Sequence, residues 1–179
     1  MRLDPEAIRA LVHRGRVHRS LYLDPEVFDL EMHKIFGGTW VYVGHESLVP
    51  KPGDFMTNRI GKHPIVLSRH SDGKIYVIHN SCGHRGAIVC NDAKGNAQLF
   101  RCCYHGWLFD VEGRCLEQPC EPDGGPQRER MRQPWYPVQE RYGIVWAYMG
   151  PPDKRPVLPR WDALEPLEDG ESYFAADNS

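Results

Sequence analysis

Cys82-Gly83-His84-Arg85-Gly86 and, further along, Cys102-Cys103-Tyr104-His105-Gly106-Trp107 are the two stretches on which the reading of this chain turns. One residue separates Cys82 from His84, seventeen separate His84 from Cys102, and two separate Cys102 from His105. Each Cys–His pair falls at the end of a predicted strand, so two thiolates and two imidazoles would close over one inorganic centre. Sulfur combined with imidazole nitrogen suits zinc or iron–sulfur chemistry, not the hard cations that prefer oxygen. The glycines following each histidine predict backbone N–H groups close enough to donate to bridging sulfurs.

Outward from these motifs the chain reads as a scaffold. Its 179 residues, 41% hydrophobic and 26% charged, have ordinary globular composition and suffice for one medium domain. A net charge of −2 leaves no nucleic-acid footprint. No run approaches the ~20 apolar residues that span a bilayer, and Met1-Arg2-Leu3-Asp4-Pro5 holds no apolar export segment. The expectation is a cytoplasmic protein with no nucleic-acid or membrane partner. In that compartment six cysteines read as ligands or buried thiols, not as a disulfide framework.

Asp4-Pro5-Glu6 and Asp24-Pro25-Glu26 each place a capping carboxylate, a proline at the first helical position and an acid on the positive end of the dipole. Phe28, Met32, Ile35 and Phe36 then recur at helical spacing, and Gly37-Gly38 ends the run. Strands are predicted at 39–43, 55–60, 65–69, 75–79, 98–102, 107–111 and 144–148. Tight turns fall at Ser71-Asp72-Gly73-Lys74 and Val111-Glu112-Gly113-Arg114. The fold class is therefore all-β, an antiparallel sandwich or small barrel with two short N-terminal helices. Residues 117–137 read as a long loop, and the end of the chain, rich in Asp and Glu, as an acidic linker.

The paired motif resembles the Rieske [2Fe–2S] signature in the form found in aromatic-ring-hydroxylating dioxygenase α subunits. Trp40-Val41-Tyr42-Val43-Gly44-His45, Pro52-Gly53-Asp54-Phe55 and Arg141-Tyr142-Gly143-Ile144-Val145-Trp146 resemble the same family. The resemblance implies a helical extension over 1–38, a Rieske domain over 39–155, and over 156–179 a linker or the start of a catalytic domain. It implies that Cys82 and Cys102 hold one iron and His84 and His105 the other, with Arg85, Gly86, Tyr104 and Trp107 around them. It further implies a one-electron relay from a ferredoxin or flavin reductase, other oxygenase subunits as partners, and mononuclear Fe(II) held by two histidines and a carboxylate in a separate domain. The last histidine of the sequence is His105, so that triad cannot come from residues 106–179. The chain is expected to carry electrons without hydroxylating a ring by itself. A stand-alone Rieske-type ferredoxin is the alternative. A structural Cys₂His₂ zinc module is a further one, although zinc modules usually open with Cys-x(2–4)-Cys.

The other cysteines, Cys90, Cys103, Cys115 and Cys120, read as buried thiols, with Cys103 pointing away from the centre. His13, His18, His45, His63, His70 and His79 read as solvated. Arg85, Lys94 and Arg101 are candidates for a rim that docks an acidic redox partner. Respiratory Rieske proteins carry an additional disulfide and a serine donor; the matching positions here hold Ala87, Tyr104 and Trp107. Fewer donors to sulfur destabilise the more negative reduced state. An equilibrium redox titration is therefore expected to give a potential near the lower end of the Rieske range of about −150 to +300 mV. A value well above zero contradicts this type.

Overall fold

The computed structural model describes residues 4–119, 121–122, 125 and 128–165. Both helix starts are built as their sequences dictate. Asp4 accepts a hydrogen bond from the Ala7 N–H (2.8 Å) and opens α1 (Pro5–Arg9). Asp24 accepts from the Glu26 N–H (2.9 Å) and opens α3 (Pro25–Glu31). Between them lie a small hairpin of β1 (Val12–His13) and β2 (Arg16–Val17) and a third short helix, α2 (Ser20–Leu23). The helix α3 runs into one π-helical turn, Met32–Phe36. Its wider turn, closed by the Gly37 N–H to the Met32 carbonyl, breaks the 3.6-residue stripe. Met32 and Phe36 turn inward, while Phe28 and Ile35 stay exposed, Phe28 under the Lys62 ammonium.

The strands follow in chain order: β3 (Trp40–His45), β4 (Asp54–Ile60), β5 (His63–Arg69), β6 (Ile75–His79), β7 (Lys94–Asn96), β8 (Leu99–Arg101), β9 (Leu108–Asp110), β10 (Cys115–Glu117), β11 (Trp135–Tyr136), β12 (Val138–Arg141) and β13 (Ile144–Tyr148). They form a five-stranded sheet, β11-β6-β5-β4-β7, and two three-stranded sheets, β12-β13-β3 and β10-β9-β8. Every pairing among these strands is antiparallel. The five-stranded sheet buries both faces, which explains the unbroken run Ile65-Val66-Leu67 in β5. Ile65 and Leu67, with Ile75 and Val77 of β6, pack with Val43, Val145 and Ala147 of the β12-β13-β3 sheet. Val66 and Ile78 face the other way, into a core with Phe100, Trp107, Phe109 and Cys115. That second core adjoins both cysteine-bearing loops.

Both predicted turns are present. Asp110 at the second accepts from the N–H groups of Glu112 and Arg114 and pairs with the Arg114 guanidinium at 2.7 Å. The expected loop over 117–137 is more ordered than its prolines suggest, because Trp135 and Tyr136 pair with Ile78 and Val77 to form β11. His79, expected in solvent, is instead half-buried at the end of β6. Its Nδ1 lies 3.1 Å from the Tyr136 hydroxyl and its ring edge-on to His63. No described helix is long and apolar enough to cross a membrane.

After Pro151 the chain returns across the β12-β13-β3 sheet as a strap. Trp40 Nε1 donates to the Pro156 carbonyl (2.7 Å), Arg141 to the Leu158 carbonyl (3.0 Å), and Trp161 stacks on Trp146. Leu158 is buried between Trp40 and Tyr148. Replacing Leu158 with Ala should therefore cost about 2–5 kcal/mol of unfolding free energy in a denaturant titration; a cost near zero means the strap is not anchored there.

Burial, and after it the neighbouring His63, lowers the His79 pKa from its usual 6.5. The folded protein thus takes up this proton less readily than the unfolded chain. The resulting penalty is absent above the unfolded pKa and grows as pH falls through 6.5. Unfolding at a series of pH values should show His79→Gln losing less stability below pH 6.5 than the parent; parallel curves refute the assignment.

Candidate metal centre

The two motifs occupy two loops of one construction. In the first, Cys82 N–H donates to the Ala87 carbonyl (2.7 Å) and Gly86 N–H donates back to the Cys82 carbonyl (2.7 Å). In the second, Cys102 N–H donates to the Trp107 carbonyl (2.9 Å) and Gly106 N–H to the Cys102 carbonyl (3.0 Å). Gly86 and Gly106 take φ of +74° and +73°, a region L side chains rarely adopt. The glycines are thus required by the turn, and their N–H groups are spent on cysteine carbonyls. This corrects the expectation that they donate to sulfur.

Cysteine placement separates the two donor types by depth. Cys82 and Cys102 are 3% and 2% exposed, while both histidines are half-buried above them. The His84 and His105 rings lie 4.5 Å apart, centroid to centroid. Trp107 stacks on His84 at 4.5 Å with planes 6° apart, and Tyr104, mostly exposed, leans on His105 at 3.9 Å. Trp107 therefore covers one face of the His84 imidazole.

Three observations test this donor set against a bound [2Fe–2S] group. His84 Nδ1 is buried and has no hydrogen-bond partner, a costly state that coordination would relieve. The Cys82 thiol pKa is raised by burial first and also by the adjacent Cys102, against the lowering effect of the backbone N–H groups of His84 and Arg85. Two buried sulfurs side by side become thiolates only beside a compensating cation. The His105 pKa is lowered by desolvation, then by His84 and Arg85, which favours the neutral imidazole that metals bind. Among the described residues no three His, Cys, Asp or Glu side chains sit close enough to hold a single ion. A bridged pair of irons asks for two protein ligands each, with sulfide completing each shell. The residues fit such a group.

Side chains from outside the motifs brace the loops. Asn80, buried before Cys82, donates to the Cys90 carbonyl and accepts from the Cys90 N–H, both at 2.8 Å. Gln133, fully buried, donates to the His79 carbonyl (2.6 Å) and the Ser81 carbonyl and accepts from the Gly83 N–H (3.1 Å). Sequence reasoning missed Gln133 because a lone amide in a proline-rich segment has no periodicity or motif to mark it. Arg101 is not a free rim charge: it donates to the Gly106 carbonyl (2.8 Å) and pairs with Glu117 (2.7 Å). Arg85 and Lys94 are exposed.

Of the remaining cysteines, Cys90 and Cys115 are buried and free, their thiol pKa values raised chiefly by burial. Cys103 points away from Cys102 but is exposed, against the expectation of burial: it lies in the turn beyond β8, where Asn91 Nδ2 approaches its sulfur at 3.6 Å. Cys120 lies outside the described residues. His13, His18 and His45 are exposed as expected, whereas His63 and His70 are half-buried.

The sequence profile of the Rieske [2Fe–2S] domain matches residues 39–137, more than half of the chain. The phenoxybenzoate dioxygenase α subunit of Ectopseudomonas oleovorans is 57% identical over 113 residues, 63% of this chain and 27% of its own length. The biphenyl dioxygenase α subunit of Metapseudomonas furukawaii is 36% identical over 95% of this chain and 36% of its own length. A solved naphthalene 1,2-dioxygenase with indole in its active site superposes with a TM-score of 0.65 at 33% identity, covering 70% of this chain and 29% of that one. The chain thus spans about a third of the length of the curated relatives it matches.

Proposed function

The chain belongs to the Rieske [2Fe–2S] domain family, and on that premise we propose that it is the electron-transfer unit of a ring-hydroxylating dioxygenase α subunit. Cys82 and Cys102 would hold one iron and His84 and His105 the other. The observation that carries this assignment is the separation of donors by depth: two buried sulfurs below two paired, half-buried imidazoles, one with an orphaned Nδ1.

When bound, the [2Fe–2S] group supplies a one-electron couple. The chain's own residues determine how that couple is used. Buried Cys82 and Cys102 would keep water from the iron they hold. The N–H groups of His84 and Arg85 at the Cys82 sulfur favour the more negative, reduced state. The partly exposed imidazoles of His84 and His105 would carry the electron from the buried sulfurs toward the surface, and Trp107 fixes the His84 plane by stacking. Exposed Arg85, whose charge acts on His105, presents positive charge at this end, suited to an acidic donor, and Lys94 is exposed as well.

In the larger protein the donor would be a ferredoxin or flavin reductase. The acceptor would be a mononuclear iron, held with other oxygenase subunits in the cytoplasm, that activates O₂ against an aromatic ring. The names of the dioxygenase relatives support that substrate class. We assign residues 39–155 to the electron-transfer domain and 1–38 to a helical extension of it, with 156–179 leading toward the remainder of such a subunit.

Electron paramagnetic resonance of the dithionite-reduced protein is the test. A signal of low average g is expected, and His84→Ala should abolish it together with the visible absorption. A silent, colourless protein carrying one zinc overturns the reading, and a fully coloured His84→Ala protein removes His84 from the ligand set.

A further inference from the structure

We propose that Gln133 is a positioning residue for the cluster, holding the peptide between Cys82 and Gly83 so that the next N–H groups stay aimed at the Cys82 sulfur. The inference rests on the cluster assignment above and concerns a residue outside both motifs.

The backbone donors after Cys82 can be accounted for one by one. Gly83 N–H goes to Gln133 Oε1 (3.1 Å) and Gly86 N–H returns to the Cys82 carbonyl (2.7 Å), while the His84 and Arg85 N–H groups between them act on the Cys82 sulfur, favouring its charged form. The peptide joining Cys82 to Gly83 is therefore pinned at both ends, its C=O by Gly86 and its N–H by Gln133. Removing the Gln133 end leaves a plane flanked by glycine, the residue that resists rotation least. Its rotation would swing the His84 and Arg85 donors off the sulfur.

Gln133 is itself held by the other half of the site. Its backbone N–H donates to the Gly113 carbonyl (2.6 Å), in the β9–β10 turn that follows the second loop. A side chain at Gly113, where φ is +82°, would collide with the Gln133 carbonyl. The amide nitrogen meanwhile satisfies the His79 and Ser81 carbonyls ahead of Cys82. One buried glutamine thus ties the β9–β10 turn, next along the chain from the loop of Cys102 and His105, to the loop carrying Cys82 and His84. Because sulfur donors stabilise the reduced cluster, their loss should lower the potential.

The test compares potentials of the intact protein and two variants. Gln133→Met keeps the length of the side chain and removes all three of its hydrogen bonds. In a coloured Gln133→Met protein the equilibrium constant for reduction is expected to fall about tenfold, ~59 mV for one electron. Adding Gly83→Ala restricts the freed peptide without crowding, since a Cβ there would meet its nearest neighbours at 3.8 Å. The double variant should recover most of the shift. An unmoved potential in Gln133→Met, or a fall that Gly83→Ala leaves in place, overturns the proposal. If Gln133→Met loses the cluster, recovery of colour in the double variant supports the proposal and its failure overturns it. A parent protein without the cluster would instead defeat the functional reading itself.

Discussion

Two buried thiols placed side by side are the demand that the rest of this molecule meets. Each costs free energy to ionise, the pair costs more because the charges repel, and the cost is relieved where a metal cation lies within bonding distance of both. Such a site cannot rely on flexible loops. The chain answers with the same short turn used twice, in which a cysteine carbonyl is gripped by the N–H of a glycine four residues on. The positive φ at Gly86 and Gly106 makes that grip possible. Ligand order differs inside the common frame, Cys-x-His against Cys-x-x-His, so the two imidazoles arrive from different positions of one turn and still meet at 4.5 Å.

A rigid turn needs a rigid base. The central sheet supplies it by burying both faces, and β6 leads straight from that sheet into Asn80 and the first loop. The second loop hangs between β8 and β9, whose Phe100 and Phe109 pack into the same core as Phe55 and Val66. Both arms therefore grow from a single packed interior. A shift of one relative to the other would require repacking aromatic side chains.

The parts legible in the sequence were those with a local chemical cause. The four candidate ligands stand out because their spacing has few other uses, the helix starts because Asp-Pro-Glu caps itself, and β5 and β6 because an apolar run of that length must be buried. What stayed hidden depends on distance in sequence. Strands of two or three residues such as β7 and β11 have no alternation to read and exist only because a longer partner is already in place. The outward turn of Ile35 follows from one π-helical turn, and the inward hold on Arg101 from a carbonyl and a carboxylate that only the fold brings near.

Gln133 shows the same division at the site itself. Motif reading finds the candidate iron ligands, since their chemistry is rare. It does not find atoms that decide where those ligands' neighbours point, since an amide is common and its partners are backbone groups fifty or more positions away in sequence. Yet the number of N–H groups reaching a sulfur is a principal means by which a protein sets the potential of an iron–sulfur centre. In this chain that number is governed by the peptide after Cys82. The ligands select the kind of cofactor, and the surrounding backbone, pinned from outside the motif, selects how willingly it accepts an electron.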